Sequence, residues 1–539
     1  MKRNTLLALL LSLLAIAASY LVEERIFERI PHIEDEMAFV WQAQVYARGE
    51  ITIPSPPHPA ALMTPFVVDY QGQRFSKYPP GWSVVLAFGY LLRARAWVNP
   101  LLAGLAVWLT YRLGQKVFNA AVGLLASFLT LLSPFFLMLS GSLLSHTWSL
   151  VLSLIFALAW LDTTMVWSPK SPDFGQASRR LPALAGRPGE SSDSDIQEQK
   201  VFPSCSFVLK PPPRWVTSLV AGLALGLLAL TRPLTALGVA LPFFVHGLIL
   251  LFRRGWNVRI HVLLIGIIAL LVSSLFLLWQ YAVTGSPFTN PYTLWWSYDK
   301  VGFGADFGHQ AGGHNLFWVL VNLKRALEVG RRDFFGWGDL SWLFLPFGVW
   351  AARSNRPAWL VGSVFVSLAT VYMLYWTTST TFGPRYYFEG FYSIGLLSAA
   401  GVLWLAGWPR AKPWRSGRFL VAAGLLAFLV CYDLAVFLPA RLDEMRGLYG
   451  VERADLLPFQ SAEAEALTPA IVVVHIQDTW TDYGALLDLQ DPWLTTPFIF
   501  TFGQGGVSDA ARQADFPGRQ LIHYYPDEPN KFYEHIRGK

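Results

Sequence analysis

Three consecutive carboxylates, Glu34, Asp35 and Glu36, open the stretch "HIEDEMAFVWQAQVYARGE", directly before a helical pattern. One acid there would cap the helix and complement its N-terminal dipole. Three exceed that need, and like charges so close raise at least one pKa, which suits a proton acceptor or a metal ligand. Further along, "FSKYPPGWS" sets Lys77 and Tyr78 ahead of Pro79 and Pro80. A lone interfacial lysine snorkels to headgroups. The prolines fix the chain and favour a helix start at Pro80, holding the lysine at headgroup level for an anionic partner. "TFGPRYYFEG" supplies Arg385, Tyr386 and Glu389, the arginine being suited to a bidentate phosphate contact.

Other groups have structural readings at least as good. Arg232 in "TRP" caps or pairs at a helix end. His58, in a Pro-rich loop, lines an acceptor entrance or nothing. Asp306, His309 and His314 in "DFGHQAGGH" have a spacing that would ligate a metal if the loop folded back. A Gly-rich lid that orders with a ligand is the preferred reading. "NLKRALEVGRRDFFGW" reads as an interfacial amphipathic helix.

These residues need a membrane to position them. Of 539 residues, 53% are hydrophobic and 14% charged, against about a quarter charged in soluble chains. Many apolar runs reach the roughly 20 residues that cross a bilayer, and long continuous runs favour helices over a barrel. The net charge of +6 sits largely in short loops between apolar runs, as membrane orientation demands, so no nucleic-acid partner is expected. Cys205 and Cys431 have neither disulfide nor metal spacing.

Lys2 and Arg3 put the N-terminus in the cytoplasm, followed by an uncleaved first helix over 5–22. Residues 23–80 form a long outer segment, and "GWSVVLAFGYLL" reads as an interfacial or re-entrant helix. Further spans are expected near 96–116, 118–140, 146–164, 215–231, 235–252, 260–279, 340–352, 357–376, 388–408 and 419–439. That makes about eleven, with the basic loops all on one side. A polar insert over 165–214 lies in the cytoplasm and a second outer loop over 280–339. The chain thus divides into an all-α polytopic membrane domain, 1–440, and a small α/β domain, 441–539, with strands at "AIVVVHI" and "RQLIHYY". The expected location is the inner membrane, with the carboxylates, Lys77, Arg385 and the C-terminal domain extracytoplasmic.

At Asp35-Glu36 after the first span, "KYPPG" (77–81), the long loop between them and "GPRYYFE", the chain resembles the GT-C superfamily of polytopic glycosyltransferases. It looks most like the bacterial relatives of protein O-mannosyltransferases and of the lipid A aminoarabinose transferases. The resemblance covers about 1–440 and implies an inverting transferase using a polyprenyl-phosphate sugar donor and a lipid, glycan or protein acceptor. It implies Asp35 as general base, Glu36 as an orienting or assisting group, and Lys77 as the ligand of the donor phosphate, with Arg385 as a second. Two departures stand out. The outer turn after the third span carries Ser145 and His146 where many relatives have an acid, and Ser76 precedes the lysine where some relatives have a metal-holding acid. No metal site is carried over, and a divalent ion stays an open alternative. The rival readings are a transporter or flippase of a lipid-linked saccharide, against which stand spans nearly free of acids, and a glycan ligase.

Overall fold

The computed structural model describes residues 3–165, 212–408, 416–476, 479–503 and 506–537. The insert expected over 165–214 lies outside them apart from its ends, as do Lys2 and Cys205. Helix α1 (Arg3–Arg25) leads to α2 (Glu34–Ala47), whose first turn carries the three acids. Between α2 and α3 (Pro80–Leu91) a small antiparallel sheet forms, ordered β1-β3-β2, with β1 at Ile53–Pro54, β2 at Val67–Tyr70 and β3 at Gln73–Ser76. Arg74 of β3 is buried and holds Asp69 of β2 bidentately at 2.8 Å. The strand stops at Ser76, so the sheet presents Lys77 at its end, and Pro80 starts α3 as the first helical residue.

Helix α4 (Val98–Val117) packs on α5 (Ala120–Leu132) so closely that a Cβ on Gly114 would stand 2.6 Å from the Gly123 Cα. Asn119 caps α5 by accepting from the Ala121 and Val122 amides. Pro134 then breaks the line, and α6 (Pro134–Ser140) leaves at 65°. The helices α7 (His146–Thr164), α8 (Arg214–Thr231), α9 (Pro233–Arg253) and α10 (Trp256–Thr284) follow. Outward residues such as Leu270, Leu271 and Leu278 are 64–72% exposed while Ile265 on the same helix is buried. Such apolar outer faces belong against lipid.

Beyond the short α11 (Pro291–Trp295), the amphipathic α12 (Leu316–Asp333) forms where "NLKRALEVGRRD" predicts it, capped by Asn315. The span expected over 340–352 differs. It is α13 (Leu345–Ala351), a helix of 7 residues, about 10 Å long and too short to cross alone. The α14 helix (Arg356–Val371) and α15 (Phe391–Leu405) flank a 3-10 turn at Arg385–Gly390, and α16 (Gly417–Tyr432) follows. Among the described residues eight helices are long and apolar enough to cross a membrane, nine with the bent α5–α6 pair. This count is below eleven because α13 is short and α4 carries Arg112 and Lys116 at its end.

Near the C-terminus, β4 (Ala470–Val474), β5 (Phe498–Phe502), β6 (Gln520–Tyr524) and β7 (Phe532–Tyr533) form a sheet ordered β5-β4-β6-β7. The first three are parallel, pairing Val472 with Phe500 and Ile522. All of β4 is buried, as the unbroken "AIVVV" run requires. This sheet packs with Phe459, Leu456 and Tyr483 in a core that also takes Ile30 from the first loop. The mixture is mostly helical with a small α/β region, the fold class the sequence predicts.

Candidate active site

Successive residues of a helix point about 100° apart, so the three acids at the start of α2 meet different surroundings. Glu36 turns into the protein and is 1% exposed. Its two oxygens accept from the backbone amides of His32 at 2.8 Å and Leu143 at 2.7 Å. Burial pushes this carboxyl up to about 7 against the pull of those amides. Glu36 therefore ties the start of α2 to the turn after α6.

Asp35 faces the other way. Its Oδ1 accepts from the Tyr78 hydroxyl at 2.5 Å, and its Oδ2 receives the Arg385 guanidinium at 3.3 Å. The side chain keeps 21% of its surface exposed. Burial raises its pKa, but Arg385, the Tyr78 hydroxyl and Lys77 outweigh that and hold the carboxyl below its ordinary range. Glu34, the third acid, has no such anchors. Burial and the neighbouring Asp35 charge push it up to about 7 despite Lys77 and Arg385.

Lys77, expected to face outward at headgroup level, is instead buried at 2% exposure. Its ammonium sits 3.5 Å from the centre of the Phe66 ring and 4.5 Å from that of Trp296, with Tyr78 and Tyr292 just beyond 5 Å. Cation–π attraction in a desolvated cage is worth about 2 kcal/mol. Among the described residues, the one acid within ion-pair distance is Asp299, at 3.5 Å. Asp299 Oδ1 in turn accepts from the Tyr375 hydroxyl at 2.7 Å and the Trp376 indole at 3.0 Å. Burial lowers the Lys77 pKa, and Asp299, Asp35 and Glu34 oppose the fall. Tyr78 is singled out from sequence, whereas Asp299, Phe66, Trp296 and Tyr292 are not. The available signal was "TLWWSYDK", one acid in an aromatic run on the second outer loop.

Arg232, His146 and Glu389 form a second cluster. His146 Nδ1 lies 3.2 Å from Glu389 Oε1 and its Nε2 lies 3.0 Å from Arg232, which is 3.5 Å from the same Glu389 oxygen and also reaches the Tyr372 hydroxyl at 3.2 Å. Glu389 and His146 are essentially inaccessible. Tyr386 bridges the clusters: it stacks on Tyr372 at 4.9 Å, with Arg232 and Arg385 each within 6 Å of its ring.

His309 and His314 do not join the carboxylates. His314 is buried against the Phe303 ring and the Met373 carbonyl, while exposed His309 lies edge-on to Trp376. Their loop is pinned to 374–376, with the Gly302 amide donating to the Leu374 carbonyl at 2.7 Å. His58 pairs with Asp515 of the C-terminal region at 2.5 Å. Among the described residues no group of three or more His, Cys, Asp or Glu side chains is arranged to hold a metal. Each Asp35 oxygen accepts one hydrogen bond, from Tyr78 and from Arg385, and keeps a further lone pair. Toward the other end of α2, Tyr46, Pro80, Val84, Phe88, Leu278 and Trp279 line an apolar cavity of about 600 Å³ between α2, α3 and α10.

No protein family and no curated protein matches the chain by sequence. Solved structures do match by shape. ArnT from Cupriavidus metallidurans bound to undecaprenyl phosphate superposes with a TM-score of 0.55 at 13% identity, covering 96% of this chain and 92% of that one. The chain has a GT-C fold. The same GT-C architecture relates it to the oligosaccharyltransferase AglB from Archaeoglobus fulgidus, in complex with an inhibitory peptide and a dolichol-phosphate. That match has a TM-score of 0.50 at 14% identity and covers 91% of this chain and 64% of AglB.

Proposed function

We propose that the chain is a membrane glycosyltransferase that moves a sugar from a polyprenyl phosphate to an acceptor hydroxyl with inversion. One observation carries the reading: Asp35, Lys77 and Arg385 converge around Tyr78. The fold neighbours whose structures hold undecaprenyl phosphate and dolichol-phosphate support the choice of donor class.

In this reading the acceptor oxygen attacks the anomeric carbon as the carbon–oxygen bond to phosphate breaks. The bonding pair leaves with the phosphate, and the acceptor proton passes to Asp35. Lys77 stabilises the charge developing on the leaving phosphate, where a preorganised cation in a dry site is worth most. Arg385 is shared between Asp35 and that phosphate, and no general acid is required because the phosphate departs as an anion. The apolar cavity takes the first isoprene units. Glu36 acts from behind as a positioning residue for α2. The site faces outward and the C-terminal region lies on the same outer side, as the loop charges suggest.

The test is release of free polyprenyl phosphate by the purified protein in nanodiscs, offered a panel of polyprenyl-phosphate sugars with candidate acceptors. Release from one donor, reduced about 10²–10³-fold in Lys77→Ala, supports the reading. Movement of donor across liposomes without cleavage would replace it with a transporter.

A further inference from the structure

The ion pair beneath the aromatic cage links two segments that are far apart in sequence. Asp299 is 3% exposed. One of its oxygens is fully engaged by the Tyr375 hydroxyl and the Trp376 indole, so the carboxylate cannot swing away. The other oxygen points at the Lys77 ammonium across a long 3.5 Å contact, the only hydrogen bond the amine makes among the described residues. An ammonium has three donors, so Lys77 retains capacity for a second anion while its counter-ion stays in place.

We propose that Asp299 is a positioning residue for Lys77: it anchors the ammonium beneath the Phe66 and Trp296 faces and keeps it a cation, ready to take a donor phosphate without itself being displaced. The proposal rests on the transferase reading above. Three observations favour it over a simple structural ion pair. A lysine enclosed by ring faces has little water to stabilise its charge, so burial alone drives it toward the neutral amine. The groups facing it are Asp299 from the second outer loop, Glu34 and Asp35 from α2, and the hydroxyls of Tyr78 and Tyr292. Of the three acids, Asp35 is paired with Arg385, and only Asp299 lies within ion-pair distance of the ammonium among the described residues. Third, Asp299 is held by the same 374–376 segment that pins the Gly-rich loop, through the Val301–Tyr375 bridge and the Gly302 amide, so the loop's seating and the lysine's charge state are mechanically joined.

The experiment measures binding of undecaprenyl phosphate to the full chain in nanodiscs between pH 7 and 10, for the wild type, Lys77→Ala, Asp299→Asn, and Asp299→Asn combined with Lys77→Arg. Expressing each variant's affinity relative to wild type at the same pH cancels titration of the lipid. For Asp299→Asn, affinity near pH 7 equals or exceeds that of wild type, because a like charge beside the phosphate is gone. It then falls away with rising pH, approaching tenfold per unit once the neutral amine dominates. Arginine stays charged throughout, so the double variant flattens the profile. A ratio that is constant across pH, whether low or unchanged, overturns the proposal for Asp299 alone. Wild type and Lys77→Ala binding the lipid equally would instead overturn the transferase reading beneath it.

Discussion

Two clusters of acids and cations share the 3-10 turn Arg385–Gly390 and do different work. At one end of it Arg385 meets Asp35, whose side chain stays 21% exposed, with Tyr78 and the caged Lys77 close by. At the other end Glu389 meets His146 and Arg232, with the acid and the imidazole shut off from solvent. Residue types are nearly the same in both. What separates them is spare bonding capacity: Lys77 makes one hydrogen bond among the described residues and keeps two donors unused, whereas the second cluster spends its groups joining α7, α9 and the turn before α15. Charge alone therefore does not mark a reactive site; unspent donors close to a partly exposed carboxylate do.

The sharpest way to break the comparison is to neutralise one group in each cluster. Asp35→Asn removes the proton acceptor and lowers turnover by about 10²–10⁴-fold, seen as a loss of polyprenyl phosphate release far larger than any fall in the folded fraction. Arg232→Ala does the reverse. It strips buried Glu389 of its guanidinium partner and leaves only the His146 imidazole beside it, a loss of up to about 3–5 kcal/mol, so the melting temperature drops and turnover falls only with the folded fraction.

A smaller effect sharpens the contrast within α2. The Glu36 carboxyl, pushed up to about 7 in the folded protein, binds its proton more tightly than the unfolded chain does, at about 4.3. The folded state is thus favoured most below about pH 4.3, and this contribution is lost as pH rises through 7. Glu36→Gln removes that slope, so thermal stability measured from pH 5 to 8 flattens relative to wild type.

The sequence made much of this readable for identifiable reasons. Long apolar runs announced the helices, Pro80 marked the start of α3, and "AIVVV" marked a buried strand, because each signal is local. The span expected over 340–352 is a helix of only 7 residues, because apolar content near Leu345 does not by itself give length. Asp35, Lys77 and Arg385 stood out by type and surroundings, and they do meet in space. Asp299 did not, since nothing in "WWSYDK" says that its carboxylate would pair with a lysine 222 positions earlier. Nor does sequence distinguish Glu34, Asp35 and Glu36; only the helix phase sends one to backbone amides and another to the cleft. The inward turn of Lys77 has the same origin, for the small sheet that delivers it was invisible in a loop read as lacking spans.

In the proposed reaction Asp35 takes the acceptor's proton beside the cations that hold a polyprenyl-phosphate donor. The most direct test follows donor binding and donor turnover together, in wild type and Asp35→Asn, using the same nanodisc preparations and the one donor that wild type cleaves. The account predicts donor affinity that is retained or improved, because Arg385 is freed for the phosphate, together with turnover reduced by at least about a hundredfold. Turnover at the wild-type rate in Asp35→Asn would contradict it.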